Sequence, residues 1–176
     1  MIVLLRFIGV MNAAIWFGAS VFFTFVAAPA LFTPEMKKLL GDIYPGLVAQ
    51  MILERYFALH YWCAGIALLH LAAETFYLGK TLPRFTLALL IGLLAIGLTG
   101  GCWLQPKLKR LHQIKYGRNE LYSPAQKEQA TAAFKVGHGF SWGLNLLALG
   151  GLGLYLWRVT SLGNGPRFIP SGKFRG

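Results

Sequence analysis

The sequence predicts an all-α integral membrane protein, a four-helix transmembrane bundle with short interfacial helices. Three observations carry this expectation. Hydrophobic residues make up 56% of the 176-residue chain and charged ones only 13%, with a mean hydropathy of +0.54; a water-soluble domain usually carries about a quarter charged residues. The few charges are also segregated. Phe7 to Phe32, Phe85 to Gln105 and Val136 to Trp157 contain no Asp, Glu, Lys or Arg, and each run is long enough to cross a hydrocarbon core about 30 Å thick, which takes roughly 20 residues. Tyr56 to Leu78 supplies a fourth, less clean stretch, interrupted by His60, His70 and Glu74. Residues 1–157 form one four-span domain on this reading, and 158–176 a basic tail rich in Gly and Pro.

The first span runs from Leu4 to Phe32. Its Ala28-Pro29-Ala30 resembles a signal-peptide cleavage site, but the apolar run exceeds the ~7–15 residues of a signal-peptide core, so a retained helix is expected. Thr33 and Pro34 suit the N-cap and first position of a short helix, Glu35 to Leu40, stopped by Gly41. Tyr44-Pro45-Gly46 turns the chain into a long second helix ending at Gly79, with Gln50, Glu54 and Arg55 in its interfacial first turns. Lys80 to Arg84 is so short that the second and third spans must be antiparallel neighbours. The third closes at Trp103-Leu104-Gln105-Pro106. Beyond it Leu108, Leu111 and Ile114 recur every three residues among Lys107, Lys109, Arg110 and Lys115, a basic amphipathic helix suited to lying on the membrane surface. Ser123-Pro124-Ala125-Gln126 is a capping box that opens a helix leading through Phe134 into the fourth span.

The net charge of +11 reflects lysines and arginines at span ends and in connections, beside anionic headgroups. No aromatic-plus-basic module accompanies it, so nucleic acid is not an expected partner. With both termini on one side, Arg6, Lys80, Arg84, Arg158, Arg167, Lys173 and Arg175 share that side, and the rest of the 17 basic residues lie on the other. This slight excess orients the termini away from the cytoplasm. The short connections suit a bacterial inner (cytoplasmic) membrane. Cys63 and Cys102 both fall inside spans, as packed thiols rather than a disulfide framework.

Small residues at four-residue spacing supply faces for helix packing: Ala14 with Gly18, Gly97 with Gly101, and Gly139 with Gly143. Close packing within one bundle is the favoured use; a dimer face or a dock for a larger membrane complex is the alternative. His60, His70 and His138 are candidate cofactor ligands, for a haem or chlorophyll-type pigment. His60 and His70 are ten residues apart, about 15 Å along a helix, and cannot share one metal ion. His70 and Glu74 share a face and suit a hydrogen-bonded pair, while His60 with Cys63 is half of a zinc site at most. His60 and His138 lie toward the same membrane face. On the last span His138, Ser141, Trp142 and Asn145 form a polar stripe, to which Gln105 and Arg55 are possible neighbours. Either it lines a pocket, or it only fixes helix register. No nucleophile–base set, phosphate loop or carboxylate pair is present, so neither catalytic nor metal-site residues are expected and the protein reads as non-enzymatic.

In their order and spacing, Trp16-Phe17-Gly18, Val26-Ala27-Ala28-Pro29-Ala30-Leu31-Phe32, Tyr44-Pro45, Trp103-Leu104-Gln105-Pro106, His138-Gly139 and Asn145-Leu146 resemble the transmembrane-protein-205-like family of small four-helix membrane proteins. The resemblance extends from Leu5 to Trp157 and implies a four-span bundle without a settled activity. His60, His70 and Glu74 lie outside its motifs. The expected role is an accessory or structural subunit of a larger membrane complex, or a homo-oligomer, with lipid bound around it. A tetrapyrrole-binding redox subunit and a transporter or small-solute pathway are the alternatives.

Overall fold

Each apolar run becomes the centre of a helix longer than the run itself. The computed structural model describes residues 2–79, 81–117 and 120–161, and none of these is in a β-strand. α1 (Ile2–Phe22) continues through a π-helical stretch, Phe23–Ala27, into one last turn, α2 (Ala28–Ala30). A short α3 (Pro34–Leu40) precedes α4 (Tyr44–Leu78). α5 (Arg84–Leu98) runs through a second π stretch, Thr99–Leu104, into α6 (Gln105–Tyr116), and α7 (Pro124–Ser161) completes the bundle. Four rods are long and apolar enough to cross a membrane: Val3–Ala30, Tyr44–Tyr77, Arg84–Tyr116 and Pro124–Ser161. They pack in a ring in the order α1, α4, α5, α7, each beside the next, with α6 against α7.

The element ends follow from local chemistry. Thr33 caps α3, its hydroxyl accepting from the Met36 N–H at 3.3 Å. Gly41 (φ 72°) and Gly79 (φ 60°) stop α3 and α4 in the positive-φ region that glycine enters without strain. The capping box before α7 is complete: Ser123 N–H donates to Gln126 Oε1 at 2.9 Å, and Gln126 N–H to Ser123 Oγ at 3.3 Å.

One expectation is corrected. The basic segment after Pro106 is not a separate helix lying flat. α6 prolongs α5, and its Leu108–His112 face is buried, Leu108 against Gly137 of α7 and His112 against Gly46 of α4. The π stretch carries the helix on through Pro106 without a break, and the buried face of α6 packs against α7 and α4. The helix of the last span also continues past Trp157 to Ser161, so the first residues assigned to the tail are helical. The rest of the predicted tail, 162–176, and Lys80 lie outside the described residues.

The surface is inverted relative to a water-soluble bundle. Phe7, Phe22, Trp62, Leu69, Phe76 and Leu147 are exposed around it, whereas Asn12, Ser20, His60, His70 and Thr86 are buried inside. Large apolar side chains outward and hydrogen-bonding groups inward is the arrangement that lipid favours. α4, with 35 residues, is about 50 Å long against a ~30 Å hydrocarbon core. The excess projects on the side of the two longer connections, where an exposed Glu54–Lys109 ion pair (3.0 Å) ties α4 to α6.

The small residues divide into two groups. A Cβ at Gly97 would overlap the His60 ring, and one at Gly101 would overlap Tyr61 and Phe57, so α5 approaches α4 there as closely as only glycine permits. At Gly18, Gly139 and Gly143 a Cβ would meet nothing within 4 Å, and Ala14 is exposed. These four lie on the outside of the ring and bring no helices together within it. Gly9, which sequence spacing passed over, is a close-approach position: His70 fills the space above it.

Candidate functional site

Two prolines shape one half of the bundle. A helical proline offers no N–H to the carbonyl four residues back, and its ring collides with that carbonyl. Before Pro29 and again before Pro106 the helix widens: Ala28 N–H reaches back five residues to Phe23 O, and Gln105 N–H to Gly100 O. In both places the π stretch ends two residues before the proline. Such widened turns are frequent at functional sites, and these two lie in opposite walls of one cavity, through Phe23 and Thr24 on α1's rod and Gly100 and Leu104 on α5's.

The inner end of that cavity is a three-helix clamp. Trp16 Nε1–H donates to His60 Nδ1 at 3.0 Å, the rings meeting edge-on with centroids 4.9 Å apart. An indole nitrogen only donates, so Nδ1 is the acceptor and the imidazole proton sits on Nε2, which donates to Leu93 O at 3.0 Å. His60 is 2% exposed and Trp16 1%. One residue of α4 thereby joins α1 to α5, and Gly97, one turn beyond Leu93, leaves room for its ring. Further rungs repeat the pattern. Asn12 Nδ2 donates to Cys63 O at 2.9 Å, and Tyr61 OH to Gly97 O at 3.1 Å. Ser20 donates to Trp16 O at 2.9 Å, so Tyr56, 3.0 Å from the Ser20 hydroxyl, donates to it. Thr24 donates to Ser20 O at 2.7 Å and accepts from Asn145 Nδ2 at 2.8 Å, which brings in α7.

Beyond the clamp toward the longer connections the rods enclose a cavity of about 550 Å³, within the ~300–1,000 Å³ range of small-molecule sites. Its floor is His60, Ile96, Gly97 and Ala148; its upper wall includes Gln50, Gln105, His138 and Ser141; its outer end holds Lys37, Asp42, His112 and Lys115. In the opposite half of the bundle Trp16, Leu90, Leu93, Leu152 and Tyr155 pack together as a buried core. The cavity is therefore a one-ended vestibule. Its floor lies near the middle of the charge-free runs, and its outer end lies beyond the Glu54–Lys109 pair, about 20 Å along α4 from His60 to Gly46.

The structure brings several sequence-selected residues together here. Gln105, 8% exposed, reaches the Gln50 carbonyl at 3.5 Å. Ser141 and Asn145 line the wall, and His138, exposed and stacked on Phe134 at 6.0 Å, stands at the edge with Trp142. Arg55 is exposed and outside the cavity. His60 has both ring nitrogens engaged and offers no lone pair to a haem iron or a metal ion. His70 is elsewhere, its Nε2–H donating to Leu5 O of α1 at 3.0 Å, where sequence spacing had suggested Glu74 as its partner. Among the described residues no three of His, Cys, Asp and Glu are grouped to hold a metal ion, and both cysteines are free thiols, Cys63 buried and Cys102 exposed.

Residues 11–116, more than half of the chain, match DUF4149, a domain of unknown function. The chain belongs to the DUF4149 family. The DUF4149 match takes in the clamp, both prolines and α6, whereas the His138–Asn145 wall on α7 falls outside it. No curated protein and no solved structure matches the chain. Within the DUF4149 segment, sequence reading missed Asn12, Ser20, Thr24, Tyr56 and His112 as partners. A signal was present: Asn12, Trp16, Ser20 and Thr24 follow one another every four residues, one polar stripe on an otherwise apolar span.

One small effect checks the outermost rung. Asn145→Leu removes a bond that in lipid is worth ~1 kcal/mol or less, so unfolding in mixed micelles should shift by no more than that. A larger loss would make Asn145 a principal link between α1 and α7.

Proposed function

We propose, in keeping with the transmembrane-protein-205-like resemblance, that this is a non-enzymatic membrane protein that holds a small molecule in the vestibule between its four rods. A bacterial inner membrane is its expected setting. The supporting observation is the cavity of about 550 Å³ that runs from the His60 clamp to the charged end of the bundle. Its walls are mixed, with Phe57, Ile96 and Leu104 beside Tyr56, Gln105 and Asn145, the combination of apolar area with few polar groups that typifies ligand sites. A closed floor favours holding over conduction: a through path would require Trp16, Leu93, Leu152 and Tyr155 to part. Mass-spectrometric comparison of solvent extracts from the gently solubilised wild type and from Ala49→Phe and Ser141→Phe tests this. Both changes place a ring in the vestibule at positions that are not fully buried. At least one small molecule near stoichiometry should be present in the wild type and fall ten-fold or more in both variants. Identical extracts would contradict the proposal.

A role as an accessory subunit or homo-oligomer draws support from the open small-residue positions Ala14, Gly18, Gly139 and Gly143. On that reading Gly143→Leu changes native-gel migration without lowering the monomer's stability. Tetrapyrrole ligation, with His60 closed to it, would fall to His138 or His112, and the absorption spectrum of the solubilised protein is expected to lack a Soret band.

A further inference from the structure

We propose that the vestibule takes an anionic amphiphile, a lipid-like molecule with one negatively charged headgroup at the Lys37–Lys115 end and its apolar body directed toward Ala148. This rests on the ligand-holding reading above and names its ligand class. Three features converge on it.

The first is position. A site that begins in the middle of the apolar zone and ends among charges spans the boundary between hydrocarbon and headgroups, where amphiphiles reside. Its edge includes Phe32 and Trp142, 48% and 60% exposed on the lipid-facing surface, so a chain can enter sideways from the bilayer. The second is charge. The charged residues lining the cavity are Lys37, Lys115 and Asp42, a net positive set, and neither lysine is in an ion pair among the described residues. Lys115 Nζ lies 4.8 Å from the Tyr116 ring centroid and 5.9 Å from that of Phe134, which places its ammonium at the wall with its hydrogen-bonding capacity unspent on any carboxylate. The third is an unmet polar atom. Gln50 Oε1, one turn into the vestibule from Gly46, is buried without a hydrogen-bond partner. A buried acceptor left unpaired costs ~1–3 kcal/mol, and a hydroxyl between a charged headgroup and its chain would satisfy it. Deeper in, Phe57, Ile96 and Leu104 offer apolar surface to the chain, beside Tyr56 and Asn145, whose hydroxyl and Nδ2 are bonded to Ser20 and Thr24.

The test measures binding of lysophosphatidylglycerol and of an uncharged monoacylglycerol with the same chain to the full-length protein in a neutral detergent, by native mass spectrometry. The wild type should bind the lysophospholipid at least ten-fold more tightly. Lys37→Gln with Lys115→Gln should remove that preference and leave monoacylglycerol binding unchanged. Lys38→Gln with Lys107→Gln, lysines outside the vestibule, should leave both affinities unchanged. Ala49→Phe should abolish both, and glycerol phosphate, which lacks a chain, should not compete. The charge assignment is overturned if the lysophospholipid shows no preference, or if the outside pair of lysines matters as much as the inside pair. Monoacylglycerol binding that Ala49→Phe abolishes would in that event leave the vestibule a ligand site for neutral amphiphiles. Binding of neither lipid, or binding indifferent to Ala49→Phe, would overturn both proposals.

Discussion

His60→Ala is expected to lower the unfolding free energy by about 3 kcal/mol, a large effect for one side chain in lipid. Hydrogen bonding alone does not supply it, because an interhelical bond in a membrane averages only ~0.6 kcal/mol. Two further costs are greater. Truncating a buried ring leaves a void, which in protein interiors costs ~3–5 kcal/mol for an aromatic side chain, and Gly97 has no Cβ to fill it. The Trp16 N–H, 1% exposed with its residue, is also left without an acceptor, at ~1–3 kcal/mol. Partial relaxation of the helices brings the sum back toward 3. His60→Phe separates the contributions: it fills the space but still orphans the indole, and should cost about half as much. Trp16→Phe in the His60→Phe background should recover part of that loss, since a pair removed together leaves no unsatisfied donor. Reversible unfolding in mixed micelles gives all three values. Equal losses for His60→Ala and His60→Phe would show that packing at the clamp is unimportant.

Gly97→Ala should be nearly as harmful, by about 2 kcal/mol, although it adds only a methyl group. In an ordinary helix the change would favour folding by up to ~1 kcal/mol, through helix propensity. Here the new Cβ overlaps a ring held at both nitrogens, by Trp16 and by Leu93 O. The ring cannot yield without breaking the clamp, and overpacking of this kind costs ~1–3 kcal/mol. The control is Gly143→Ala, where the added carbon meets nothing within 4 Å; it should be neutral or slightly stabilising. If the two substitutions behave alike, α5 does not approach α4 as closely as described.

The four spans were legible because lipid imposes one strong rule, a long run without charges, and the chain obeys it in three places and nearly so in the fourth. Helix starts and stops at Thr33, Gly41, Gly79 and Ser123 were legible for a similar reason, since each depends on chemistry within four residues. What hydropathy does not encode is how a helix carries on past a proline. Pro106 reads as the end of a span, yet the π stretch ahead of it lets α6 continue, and the basic segment becomes a wall of the vestibule. The polar stripe on the last span was legible as a face, and the structure gives two of its members distinct settings: Asn145 meets Thr24, while His138 remains exposed at the edge. Partners of buried polar groups were the least accessible. His60 pairs with Trp16, 44 residues away, and tryptophan is counted among the hydrophobic residues although its indole carries the one N–H that fixes the histidine's tautomer.

The most direct test of the vestibule as a ligand site is a crystal structure of the protein grown from a lipidic mesophase. The expected result is an elongated non-protein feature running from the level of Lys115 down to Ala148, ending above the Trp16–His60 pair. A vestibule closed by contact of α1 with the outer half of α7, or one filled with water alone, would contradict it.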